Sequence, residues 1–216
     1  MPSIKLIRGG TIVTPAESFA GDILVAGEQI AEVFRSGDSA EETREKEVLA
    51  ALPEQPETVD ASGLLVFPGF IDAHTHFDLH VAGTVTCDDF SSGTRAAVSG
   101  GTTTIVDFGT QYPGESLEEG LQNWLGKAEE GTFCDYGIHM SITEWNASIS
   151  EECQRMMDEG VTTFKVYTTY DTMLEDKTLF EVLKRLHEVG GHHRRALRKR
   201  RHDRRSQGGS GAGRRS

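Results

Sequence analysis

The chain changes rhythm near residue 60. Before that point, short runs alternate apolar and polar positions: Ile4, Leu6 and Ile7, then Thr11 to Thr14, then 22-DILVAGEQIAEVF-34. Gly9-Gly10 and Ala26-Gly27 punctuate them, and the pattern predicts a small antiparallel sheet. Residues 37–59 are acidic, hold two prolines and follow neither period. They read as a solvated loop with room for a helical turn. After residue 60 four apolar, β-rich runs appear: 64-LLVFPGFIDAH-74, 103-TTIVDF-108, 136-YGIHMSIT-143 and 162-TTFKVYTT-169. Helix-like segments fall between and after them, at 91–101, 115–131, 149–160 and 177–191. In the last of these Leu179, Phe180, Leu183, Leu186 and Val189 recur at helical spacing and form one apolar face. Buried strands alternating with amphipathic helices predict parallel βα units, four in number.

Composition narrows the setting. The 216 residues hold no apolar run long enough to span a bilayer, and the opening MPSIKLIRGG has no signal-peptide core. The expectation is a soluble, unexported protein. Three cysteines (Cys87, Cys134, Cys153) are too few and too irregular for a disulfide scaffold, which fits a reducing cytoplasm.

Charge divides the chain again. Residues 191–216 carry ten of the 22 Lys and Arg and a single acid, Asp203, although the net charge is −12. The organisation expected is therefore a β-rich segment over 1–63, βα units over 64–190, and a basic, disordered tail over 191–216.

Two features point to chemistry. In 68-PGFIDAHTHFDL-79, His74 and His76 close an apolar strand two residues apart. On an extended segment they project to the same side, so both imidazoles can reach one cation. Lys165 interrupts the β-formers of 163-TFKVYTTY-170 near a strand end. A lysine there either snorkels to the rim or is buried with a depressed pKa, and a neutral amine can capture CO2 as a carbamate able to bridge two metal ions. His80 reads as a loop residue, His139 as a hydrogen-bonded strand residue, and Asp107 as packing near the site.

PGFIDAHTH, 83-GTVTCDDFSSGTRAAVSGGTTTIVDF-108 and FKVYTTY, in that order, resemble the hydantoinase/dihydropyrimidinase branch of the amidohydrolase superfamily over residues 4 to about 191. The resemblance implies an α/β fold: the N-terminal half of a metal-dependent (β/α)8 barrel, preceded by a small β-sandwich segment. It implies that His74 and His76 bind the more buried of two divalent ions, usually zinc. Lys165, carrying a CO2-derived carboxylate, would bridge both. Tyr170 would bind the substrate and donate a hydrogen bond to its carbonyl oxygen as charge develops. A metal-activated hydroxide would then open a cyclic amide, a dihydropyrimidine or a 5-substituted hydantoin.

A dihydroorotase-like enzyme would carry arginine two positions after the second histidine, where this chain has Asp78. His80 departs from the apolar-Pro pair usual near that point, within a Phe77–Val81 segment expected to form part of the substrate gate. Family members form homotetramers, and neither nucleic acid nor membrane is implied as a partner. The other barrel half would supply two further histidines and an aspartate base, so the chain as written is expected to be inactive.

The tail has a specific explanation. One codon set permitted for 191-GHHRRALRKRRHDRRSQ-207, read with a single base deleted, gives Gly-Ile-Ile-Gly-Val-His-Cys-Glu-Asn-Gly, which has the form of a fifth barrel strand carrying the next family histidine. The competing readings are phosphate binding by the basic run, and a non-catalytic amidohydrolase-like scaffold. The first lacks aromatic residues for stacking, and the second would be expected to have lost His74, His76 and Lys165.

Overall fold

Pro68-Gly69 splits the first long apolar run into two strands that belong to different sheets. Proline has no N–H to give to a ladder, so neither sheet continues through it. In the computed structural model, which describes residues 3–81, 83–129, 131–169 and 172–196, the chain divides into two compact units after Phe70. The expected boundary at 63/64 falls seven residues earlier, because Leu65–Val66 still pairs with the first strand.

In the first unit β1 (Ile4–Val13), β2 (Ser18–Ala26) and β3 (Gln29–Arg35) form an antiparallel meander. The sheet is mixed rather than purely antiparallel, since β4 (Glu57–Asp60) and β5 (Leu65–Val66) both run parallel to β1. Gly9 sits at the register shift in β1 with φ +76, in the left-handed region, and its N–H donates to the buried Asp22 carboxylate at 2.7 Å.

The acidic stretch read as loop contains a helix, α1 (Ser39–Ala51). It buries none of its residues fully. Local chemistry explains it: Asp38 caps the backbone N–H groups of Ala40 and Glu41, and nearly every residue that follows is a strong helix former. Val48, Leu49 and Leu52 lie against the core of Leu6, Leu24 and Phe34.

The second unit begins with β6 (Phe70–Thr75) and a small hairpin, β7 (His80–Val81) with β8 (Thr84–Val85). Alternating elements follow: α2 (Phe90–Ser99), β9 (Thr102–Thr110), α3 (Leu117–Glu129), β10 (Asp135–Ile142), α4 (Ala147–Asp158), β11 (Thr163–Tyr167), α5 (Asp176–Glu188) and β12 (His192–Ala196). The sheet order is β12-β11-β10-β9-β6, and β9 to β12 pair in parallel. These are the parallel βα units predicted from the alternation, in the half-barrel that the family resemblance implies. The ladder extends to Ala196, inside the segment expected to be a disordered tail; the remainder of that tail lies outside the described residues.

Side-chain alternation sorts the strands into two faces. Ile105, Met140, Ile142, Phe164 and Val166 join a core with Leu121, Trp124, Met156, Val182 and Leu186 of the helices. Each such large side chain taken fully out of water contributes about 1.5–3 kcal/mol, so this layer fixes the strand spacing. Phe108 of β9 and the residues between them on β10 and β11 (His139, Ser141 and Lys165) take the opposite face, and all are buried; Asp107, two residues after Ile105, is buried on the helix side with Trp124.

Candidate active site

His74 and His76 stand near the C-terminal end of β6, their rings edge-on with centroids 5.2 Å apart. His74 is exposed and His76 half-buried. Two strands further along the sheet from β9, Lys165 projects from β11 and is 7 % exposed; its Nζ lies 3.4 Å from His76 Nε2. The structure thus brings together all three expected metal-binding side chains that it describes. Tyr170 lies outside the described residues.

Phe108 of β9 forms the floor. Its ring centroid is 4.7 Å from His74, 4.9 Å from His76 and 4.8 Å from His139, and Lys165 Nζ sits 3.9 Å above it. The ring face itself attracts a cation, so what works against the charged forms is the burial of these groups. Burial first, then the positive Lys165 and His74, hold His76 at about 4, well below its ordinary 6.5. Burial likewise lowers the Lys165 pKa, with Asp107 pulling the other way. Both groups are thereby biased toward the neutral, lone-pair-bearing state in which nitrogen can act as a donor to a metal or an electrophile.

His139 behaves as a hydrogen-bonded strand residue: Nδ1 faces Thr163 Oγ1, and Nε2 lies 3.2 Å from the Ala73 carbonyl oxygen. It therefore ties β10 to β11 on one side and reaches across to β6 on the other. Asp107 is buried and accepts four hydrogen bonds, from Thr75 Oγ1, the backbone N–H groups of Phe77 and Phe108, and Trp124 Nε1. Sequence reading treated it as packing and gave Phe108 no part; the only available signal was an acid beside an aromatic in an otherwise apolar strand.

Beyond the histidines, Asp78 takes a left-handed backbone (φ 45) that non-glycine residues seldom adopt. Lys127 holds it there, donating to the Asp78 carbonyl at 2.9 Å and pairing with its carboxylate at 3.0 Å. This turn launches the β7–β8 hairpin, where His80 is an exposed strand residue and not part of an open loop.

The donor set suits a cation in part. Among the described residues buried His76 Nδ1 has no hydrogen-bond partner, and a second imidazole and an amine converge beside its ring. Among the described residues, however, no three His, Cys, Asp or Glu side chains come together.

Comparison with known proteins agrees with this geometry. The model of the amidohydrolase family matches residues 65–192. The chain is 38 % identical over 193 residues to a D-hydantoinase of Streptomyces coelicolor, covering 88 % of this chain and 39 % of that one. It is 40 % identical over 189 residues to a D-hydantoinase of Geobacillus stearothermophilus, covering 86 % and 37 %. The structure superposes on a dihydropyrimidinase from Brevibacillus agri with a TM-score of 0.78 and 37 % identity, covering 89 % of this chain and 39 % of that one. The chain spans about two fifths of the length of these relatives. A parallel half-barrel carrying a histidine pair on one strand and a buried lysine on another, matched by the family model through β6 and β11, places this chain in the amidohydrolase family.

Proposed function

We propose that residues 64–190 form the first metal-binding half of a hydrolase that opens small cyclic amides, dihydropyrimidines or 5-substituted hydantoins. The observation that carries this reading is Lys165 Nζ facing His76 Nε2 at 3.4 Å on a buried aromatic floor. Two basic groups in that position act together only if the lysine becomes an anion. CO2 accomplishes this: the neutral amine forms an N–C bond, a C–O π pair moves to oxygen, and the amine proton leaves to water. A carbamate remains, with two oxygens able to reach two metal ions. His74, His76 and carboxylated Lys165 would be the side chains of this half that hold the ions.

Two bound divalent ions, zinc in this reading, supply Lewis acidity and lower the pKa of water at the site. The chain's own part is to present the two imidazoles to one ion and to keep bulk water away with Phe108. Tyr170 donates to the substrate carbonyl oxygen as negative charge gathers on it. The printed names of the relatives, hydantoinase and dihydropyrimidinase, support the substrate class.

The remaining donors of the second ion, two histidines and an aspartate, lie outside the described residues in this reading. The described residues by themselves then turn over no ring. The basic run from His192 onward is an out-of-frame extension, which accords with the family match ending at that residue. The working form is a cytoplasmic homotetramer. Among the described residues no helix is long and apolar enough to cross a membrane.

Supplying 13C-labelled bicarbonate and zinc, then recording carbon NMR, tests the reading. A carbamate carbonyl signal present in the parent chain and absent in Lys165→Ala is expected. Near-normal turnover by a frame-restored Lys165→Ala enzyme, without added short carboxylic acids, would refute the bridging role.

A further inference from the structure

We infer that Asp107 is a positioning residue for His76, holding the Thr75 hydroxyl and the Phe77 backbone N–H on either side of that histidine from the adjacent strand β9. Its Oδ2 accepts from Thr75 Oγ1 at 2.8 Å and from the Phe77 backbone N–H at 3.0 Å, the residues immediately before and after His76. Its Oδ1 accepts from Trp124 Nε1 at 2.9 Å and from the Phe108 backbone N–H at 2.8 Å, anchoring the carboxyl group to the core. Three of the four partners are N–H groups, which cannot accept a hydrogen bond. These hydrogen bonds favour the ionised carboxylate, while burial, the larger effect, pushes its pKa up.

The grip matters because of what His76 lacks. Metal-binding histidines are usually oriented by a carboxylate or carbonyl on the second ring nitrogen. Buried His76 Nδ1 has no such partner among the described residues, while Nε2 faces Lys165. Ring orientation is left to the Phe108 face at 4.9 Å and to the backbone that carries the side chain. Asp107 controls both: it holds the Thr75 hydroxyl and the Phe77 N–H around His76 and bonds the N–H of Phe108. Immediately after Phe77 comes the left-handed turn at Asp78 and the exposed hairpin, so without the grip the strand end is free to follow that loop. The orienting contact in this chain is thus made one bond-path removed, through the backbone.

This inference rests on the reading of His76 as a metal ligand, and the test separates the two. Zinc affinity of the full chain is measured by competition with a chromophoric chelator, and the coordination geometry by the visible absorption of the cobalt-loaded protein. Asp107→Asn is expected to weaken zinc about 10- to 100-fold and to alter the cobalt bands. Thr75→Val, which removes one donor and leaves the carboxylate in place, is expected to weaken zinc by a smaller factor, and Thr75→Ser to restore it. Met156→Ala, a buried change on α4, is expected to lower Tm without touching affinity.

If Asp107→Asn does not fold, the two Thr75 variants decide. Unchanged affinity and cobalt spectrum in Thr75→Val, or a loss matched by Met156→Ala at equal loss of Tm, would reduce Asp107 to a packing group. Zinc bound as tightly by His76→Ala as by the parent chain would instead overturn the metal site and this inference together.

Discussion

Lys165 Nζ and His76 Nε2, from residues 89 apart in sequence, meet at 3.4 Å over the ring of Phe108. Each is a base, each is pushed toward neutrality by burial, and the positive Lys165 makes protonation of His76 harder still. The pair is poised to receive an electrophile or a cation.

That relationship is measurable by proton NMR of the histidine rings. His76 should titrate near 4, and Lys165→Met should raise its pKa by removing one positive neighbour. The value should remain below 6.5, because burial is the larger cause. The linkage follows in sign. Folding favours neutral His76, whereas the unfolded chain takes up a proton near 6.5, so this contribution is complete above that pH and is lost as pH falls toward 4. His76→Gln should flatten that acid limb; an unchanged limb would show that other groups set it.

Two glycines of α3 should respond in opposite directions to the same substitution. A Cβ on Gly126 meets nothing within 4 Å, so Gly126→Ala should stabilise by about 0.5–1 kcal/mol. A Cβ on Gly120 would lie 2.6 Å from Met140 Cε and 3.2 Å from the Thr110 carbonyl oxygen. Gly120→Ala should therefore destabilise, by roughly 1–3 kcal/mol, despite alanine's better helix propensity. Urea unfolding of both variants checks the pair.

Glu152 is buried on α4, and its carboxylate accepts the Leu117 backbone N–H at 2.6 Å, capping the start of the neighbouring helix α3. Glu152→Ala leaves that N–H buried and unpaired and should cost about 1–3 kcal/mol. Glu152→Gln, which keeps an acceptor, should recover part of the loss in the same thermal melts.

The three thiols should separate by alkylation rate. Cys87 is exposed and should react first, Cys134 more slowly, and Cys153 only on unfolding. Burial pushes Cys153 up to about 11 from its ordinary 9.0. Its stabilising contribution is thus whole below pH 9 and declines between there and 11, where the unfolded chain ionises first. A Cys153→Ala chain that kept the same alkaline slope would contradict this.

Sequencing across codons 188–195 should find one base more than the family frame requires. Codons that give no family-like reading when one base is removed would leave the basic run from His192 onward as an encoded feature.

The half-barrel was legible because burial imposes its period on the sequence: helix-spaced apolar residues in 115–131 and 177–191 became α3 and α5, and Ile105, Met140 and Phe164 mark their strands. His74, His76 and Lys165 were legible as polar interruptions of apolar strands. Three features were not. The helix α1 has no apolar stripe, and only its cap and helix formers announce it. Strand β12 is built from His and Arg, residues with little preference for sheets, and it forms where the open edge of β11 meets the backbone leaving α5. The part played by Asp107 depends on donors from residues 75, 77, 108 and 124, a convergence that no local pattern encodes.

The pairing of β5 with β1 has a consequence for synthesis on the ribosome. The first strand to emerge can join β2 and β3 at once, because they follow through short turns. Its other edge must wait until Glu57–Asp60 and then Leu65–Val66 have left the exit tunnel. For that interval β1 presents unpaired N–H and C=O groups to whatever is nearby, and α1 is the segment being made. A charged helix that forms from its own sequence and offers no strand edge is a safe neighbour for a sheet still missing its last two strands.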